Sequence, residues 1–186
     1  MRLFVALHIP DDIRDTIAQL IRESKPLDED WKWPRAENLH VTLKFLGETP
    51  PEKLKNVCDA LRKVSSEWPI QITFRGLGFF PNERRPRVLW VGMDAPAALS
   101  KLAADIEDAL AGVGVPREER AFTPHLTLAR NKDGGLSEKL GSKLAKYSSL
   151  QFGTMNATAF HLVESNLKFT GAEYTTLESF SGESPN

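Results

Sequence analysis

The sequence predicts an α+β fold built from two related lobes, and two observations carry that prediction. The apolar patterns run strand-helix-strand-helix-strand-strand, then helix-strand-helix-strand-strand. This order lacks the strict alternation that a doubly wound parallel sheet requires. The pattern His-apolar-Thr-apolar also occurs twice, as His40-Val41-Thr42-Leu43 and His125-Leu126-Thr127-Leu128, at matching places in that order. Val88 follows His40 by 48 residues and Tyr174 follows His125 by 49, each in the second strand of a pair. Matching motif, order and spacing point to an internal duplication.

Each element has its own justification. Residues 2–9 are apolar enough for a strand buried on both faces. Pro10-Asp11-Asp12 opens a helix whose buried stripe is Ile13, Ile17, Leu20 and Ile21, and Ser24-Lys25-Pro26 stops it. Trp31-Lys32-Trp33 is a short extended piece closed by Pro34. Residues 38–47 read as a strand. Thr49-Pro50-Pro51-Glu52 has the form of a capping box for a second helix with the stripe Leu54, Val57, Cys58, Leu61 and Val64. Cys58 lies in that stripe, as core rather than as a nucleophile. Residues 69–79 and 87–93 read as strands joined by the turn-rich segment 81–86. A third helix covers about 96–111, with Gly112 as its stop. Residues 125–130 form a strand, a short helix begins near Ser137, and strands follow at about 150–164 and 172–180. One bilobal domain is expected over 1–180, with 181–186 a disordered tail.

Composition narrows the function. The chain has 186 residues and a net charge of −1, so any nucleic-acid contact must be a local patch. One cysteine excludes an intrachain disulfide framework and a multi-cysteine zinc site. No apolar run approaches the ~18 residues of a membrane span. The apolar start ends at His8 and Pro10 and reads as a strand rather than a signal peptide. A cytoplasmic monomer with no membrane association is the expectation. Gly76-Leu77-Gly78 lacks a third glycine and a following helix, so it is a poor dinucleotide fingerprint.

The repeated motif has a stereochemical meaning. Side chains alternate along a strand, so His40 and Thr42 share one face while Val41 and Leu43 point to the other. The same holds for His125 and Thr127. Two such faces related by approximate two-fold symmetry would form a groove with two imidazoles and two hydroxyls. One imidazole can take a proton from a nucleophile while the other gives one to a leaving oxygen. The hydroxyls can donate to non-bridging phosphate oxygens. That set suits phosphodiester cleavage without a metal, above all of a strained cyclic ester. His8 and His161 lack a Thr partner and read as core or edge residues. A four-histidine metal centre is the alternative, disfavoured because no pair has close helical spacing.

These residues resemble those of the bacterial and archaeal RNA 2′,3′-cyclic phosphodiesterase family, also called 2′-5′ RNA ligase or LigT-like, in the two-histidine phosphoesterase superfamily. The resemblance runs through Arg2-Leu3-Phe4-Val5-Ala6-Leu7, Glu37-Asn38-Leu39-His40-Val41-Thr42-Leu43-Lys44-Phe45-Leu46-Gly47, Arg87-Val88-Leu89-Trp90, Arg120 to Arg130 and Phe160 to Ser165. It implies two antiparallel sheets around a central groove, with helices outside and no cofactor. It implies hydrolysis of an RNA 2′,3′-cyclic phosphate to a 2′-phosphate, with His40 as proton donor, His125 as proton acceptor, and Thr42 and Thr127 on the phosphate. Reversal with a 5′-hydroxyl would form a 2′-5′ link.

Further positions follow from parity and resemblance. Lys44 has the strand parity of His40 and would face the groove as a substrate-binding residue. Arg130 matches the family's motif-trailing arginine and would contact phosphate. Simple alternation sets it opposite His125, so it needs a bulge or strand end; otherwise it is a surface ion pair. Phe45 has the wrong parity to stack on a base, and Trp33 reads equally as core. Arg84, Arg85 and Arg87 form a basic turn. RNA ends, such as tRNA fragments, are the expected partner. Alternatives are a small cyclic nucleotide such as ADP-ribose 1″,2″-cyclic phosphate, or a non-catalytic RNA-end binder.

Overall fold

The computed structural model describes residues 1–182. In chain order the elements are β1 (Arg2–His8), α1 (Asp11–Ser24), β2 (His40–Glu48), α2 (Leu54–Leu61), β3 (Ile70–Phe80), β4 (Val88–Asp94), α3 (Ala97–Ala111), β5 (His125–Arg130), α4 (Glu138–Ala145), β6 (Gln151–Ala157), β7 (Ala159–Lys168) and β8 (Gly171–Ser181). The strands form two four-stranded sheets, ordered β2-β1-β7-β8 and β5-β4-β3-β6. All pairings are antiparallel. The α+β class is as predicted. No helix among the described residues is long and apolar enough to cross a membrane.

The duplication sits elsewhere than residue counting placed it. Each motif strand is the edge of its sheet, beside the strand that precedes it by one helix: β1-α1-β2 in one sheet and β4-α3-β5 in the other. Val88 therefore lies next to a motif strand, whereas Tyr174 lies on β8, at the opposite edge from β2. Their similar spacing reflects no structural equivalence.

The predicted helix stripes are the buried ones. Ile13, Ile17, Leu20 and Ile21 of α1, and Leu99, Leu102, Ala103, Ile106 and Leu110 of α3, are all buried. The β6 residue Gly153 has φ +146, and a Cβ there would come within 2.7 Å of Ile13 Cγ1. Glycine thus lets α1 close onto β6. Ser137 caps α4, its Oγ accepting from Leu140 N at 3.2 Å. Cys58 is buried in α2, and burial, together with the Glu178 carboxylate, pushes its thiol up to about 11. A thiol so raised is a poor nucleophile. One apolar core joins both sheets and all four helices.

Three local expectations are corrected. Thr49 caps nothing: its hydroxyl donates to Gly47 O, and a 3-10 turn, Pro51–Lys53, leads into α2. The second proline removes an N–H that a cap would bind. The run 150–164 is two strands in different sheets, broken at Thr158 with neither glycine nor proline to mark the crossing. Gly112 ends α3 as expected, at φ −61, with the left-handed residue two positions on at Gly114, φ +88. Ser181 closes β8 and Gly182 packs against Trp68. The rest of the expected tail, 183–186, lies outside the described residues.

Candidate active site

The motif strands carry identical burial patterns over His40–Phe45 and His125–Arg130. Val41, Leu43, Leu126 and Leu128 are buried in the core. His40, Thr42, His125 and Thr127 line one groove of about 1160 Å³. Its walls come from both sheets and from the loops before β2 and β5. The two motifs thus converge as alternation requires.

Each strand bulges at the fourth motif residue. Thr42 pairs with Ala6 but Lys44 with Val5, leaving Leu43 as the extra residue. Thr127 pairs with Trp90 but Ala129 with Leu89, leaving Leu128 as the extra residue. An extra residue reverses the parity of everything beyond it. Lys44 therefore turns inward with Val5, and Phe45 turns outward with Phe4. On the other strand Ala129 turns inward and Arg130 outward, so Phe45 and Arg130 occupy equivalent places.

Lys44 lines the groove, as expected, but the bulge commits its ammonium to protein partners. Its side chain is 1 % exposed, and its ammonium donates to Glu107 Oε1 at 2.9 Å and Pro116 O at 2.7 Å at the groove edge. Glu118 N also donates to Glu107 Oε1. Lys44 thus clamps the segment after α3, which carries Arg120 and Thr123 to the groove. Breaking a buried pair on one side leaves an uncompensated charge, at a cost of about 3–5 kcal/mol. Lys44→Met is expected to lower stability by about 3 kcal/mol in denaturant unfolding, with an unchanged slope. A loss under about 1 kcal/mol would show that the ammonium does not hold this segment.

Arg130 has the bulge its groove position required. It lines the groove and forms no ion pair among the described residues. Its backbone is fixed by paired bonds with Lys32, 2.8 and 3.0 Å. Phe45 also lines the groove and is 53 % exposed, so its expected parity is corrected. Trp33 lines it as well, and of the basic turn only Arg87 does so. Lys32, Arg120, Phe80, Phe122 and Tyr174 complete the walls without having been singled out by sequence as site residues. They come from loops and distant strands, where no local pattern marks them. Gly76-Leu77-Gly78 has a packing role instead: a Cβ on Gly78 would overlap the Trp90 indole.

Both motif histidines are oriented in the same way. His40 Nδ1 donates to Asn38 O at 2.6 Å and His125 Nδ1 donates to Thr123 O at 2.7 Å. A carbonyl can only accept, so Nδ1 carries a proton and Nε2 is the atom free to exchange one. His40 Nε2 lies 2.8 Å from Thr42 Oγ1. Asn38 is itself anchored by its Nδ2 donating to Ala172 O at 2.7 Å. Each ring rests on an aromatic edge or face: His40 on Phe4 and Tyr174, His125 on Phe80. Burial holds the His40 pKa below 6.5, against the pull of the Asn38 carbonyl, and nearby His8 lowers it further.

His8 and His161 are neither core nor edge residues. They stack at 3.8 Å on the groove side of the first sheet, and His8 pairs with His40 across the ladder. Burial lowers both pKa values, that of His161 to about 4. Among the described residues no three His, Cys, Asp or Glu side chains converge as a metal-binding set.

Two antiparallel sheets, each presenting a His and a Thr to a shared groove, define a two-histidine phosphoesterase. The chain belongs to the family described as LigT like phosphoesterase, whose sequence model matches residues 7–90 and again 91–171. It is 37 % identical over 180 residues to the RNA 2′,3′-cyclic phosphodiesterase of Archaeoglobus fulgidus, covering 97 % of this chain and 99 % of that one. It is 33 % identical over 183 residues to the protein of the same name from Aquifex aeolicus, covering 97 % and 96 %. Among solved structures, E. coli LigT complexed with 3′-AMP superposes with a TM-score of 0.79 at 28 % identity, covering 97 % of each chain. A Thermus thermophilus protein superposes at 0.81 and 32 %, again covering 97 % of each.

Proposed function

We propose that this phosphoesterase hydrolyses the 2′,3′-cyclic phosphate at RNA ends to a 2′-phosphate, by proton transfer between its own two histidines. The observation that carries this is the matched orientation of His40 and His125. Each has Nδ1 fixed on a carbonyl and Nε2 left for chemistry in a groove that also holds Arg87, Arg120 and Arg130. His125 Nε2 takes a proton from water as the water oxygen bonds to phosphorus. The bond from phosphorus to O3′ breaks, and His40 Nε2–H protonates the departing oxygen. Thr42 and Thr127 donate to the non-bridging oxygens, and Arg130 offsets charge that builds there. With a 5′-hydroxyl in place of water, the same path makes a 2′-5′ link: the 5′ oxygen bonds to phosphorus as His125 takes its proton, and O3′ leaves with a proton from His40.

The names of the relatives support RNA as substrate, and so does the size of the groove. At about 1160 Å³ it exceeds the roughly 300–1,000 Å³ usual for small-molecule pockets. A pure RNA-end binder would have no use for two imidazoles fixed in one tautomer. The test is an oligonucleotide with a 2′,3′-cyclic phosphate end, incubated in excess chelator. Complete conversion to the 2′-phosphate is expected. Activity lost on chelation and restored by a divalent ion, or a 3′-phosphate product, would overturn the proposal.

A further inference from the structure

We infer that the first sheet's groove face, from Tyr174 to the β7–β8 turn, is a docking surface for the single-stranded RNA that precedes the reacting end. The inference rests on the proposed substrate and extends it beyond the terminal nucleotide. Among the described residues five large apolar side chains stand exposed: Phe45, Leu150, Leu167, Phe169 and Tyr174. All but Leu150 lie on this sheet or its connecting turn. Leu167 is 72 % exposed and Phe169 wholly so.

The register shows that this apolar surface continues the groove. Phe4 pairs with Val163, and those two cluster with Ala6 beneath His40. Further along, Val163 pairs with Thr176, Ser165 with Tyr174 and Leu167 with Ala172, without a register break. Val163, Ser165 and Leu167 therefore share one face, and Tyr174 on that face lines the groove. Leu167 lies roughly 7 Å beyond Ser165, and Phe169 follows at the turn. The path runs from His40 over Phe4 and Tyr174 to Leu167 and Phe169.

The turn is held in place relative to the site. Arg35 donates to Thr170 O at 2.9 Å, and Asn38 donates to Ala172 O. Both donors belong to the segment that also positions His40. Lys168 is paired with Glu173 at 2.6 Å, so the turn offers mainly apolar faces. The opposite wall supplies the charge, with Arg87, Arg120 and Arg130 lacking ion pairs among the described residues. An apolar wall facing a cationic one matches a strand of stacked bases with a phosphate backbone.

The experiment compares kcat/KM for a mononucleotide 2′,3′-cyclic phosphate and for a tetranucleotide ending in the same group. The variant is Leu167→Ser/Phe169→Ser, two exposed positions outside the catalytic groups. The mononucleotide value is expected to hold, and the tetranucleotide value to fall about tenfold, chiefly through KM. Equal effects on both substrates, or none on the tetranucleotide, would overturn the inference. So would a dimer in sedimentation that the variant splits, which would assign the turn to self-association. Binding of a labelled linear tetranucleotide, expected to weaken by a similar factor, tests the surface without turnover. Failure of the wild type to hydrolyse either substrate would count against the proposed reaction alone.

Discussion

His40→Ala and His125→Ala are each expected to lower kcat roughly 10³-fold. Both side chains present Nε2 to the groove and hold Nδ1 on a carbonyl, so alanine removes a proton carrier. The wild-type pH profile should be a bell, and each variant should lose the limb set by its missing imidazole. The direction of one shift is fixed by the structure. Burial keeps His40 below its ordinary pKa, because burial disfavours the charged ring. A bound phosphate anion favours that charged ring. The pKa belonging to His40 should therefore be higher in the profile of kcat, which reports the complex, than in that of kcat/KM, which reports the free enzyme. A loss under about tenfold, or an intact bell in either variant, would exclude proton transfer by that residue.

Most of the fold could be read from the sequence because it rests on local periodicity. The stripes of α1 and α3, the motif strand His125–Arg130 and the Ser137 cap depend on residues a few positions apart. The inward and outward faces of each motif are set by the same short-range alternation. What could not be read depends on partners far along the chain. Nothing in His-Val-Thr-Leu-Lys-Phe marks Leu43 as a bulge, since the bulge exists only against Ala6 and Val5 of β1. That one residue committed Lys44 to protein partners and turned Phe45 to the groove, and its counterpart Leu128 brought Arg130 to the groove. The crossing at Thr158 was equally silent, because a strand that changes sheets keeps its apolar alternation. Tyr174, Arg120 and Lys32 reach the groove from elements whose docking is a tertiary event. The equivalence of the two bulges is the clearest trace of duplication, because it repeats a distortion that simple alternation does not require.

Thr42→Val and Thr127→Val should separate two tasks that the motif assigns to one residue type. Valine keeps the branched shape and the strand preference and removes only the hydroxyl. If both hydroxyls donate to phosphate oxygens as charge builds, each substitution should lower kcat about 10²-fold while KM moves little. The two variants should differ in their titration. Thr42 Oγ1 is 2.8 Å from His40 Nε2, whereas Thr127 has no hydrogen bond to His125 among the described residues. Hydrogen bonds to a charged group are the stronger ones, so losing the Thr42 hydroxyl destabilises the imidazolium more than the neutral ring. The His40 pKa, already low, should fall further in Thr42→Val and stay in place in Thr127→Val, as followed by NMR of the ring protons. Thr42→Ser should restore both the rate and the titration, since the hydroxyl returns. A Thr42→Val enzyme with wild-type kcat would remove the hydroxyl from the mechanism. One with low kcat but unmoved His40 would leave phosphate binding as its task and detach it from the acid.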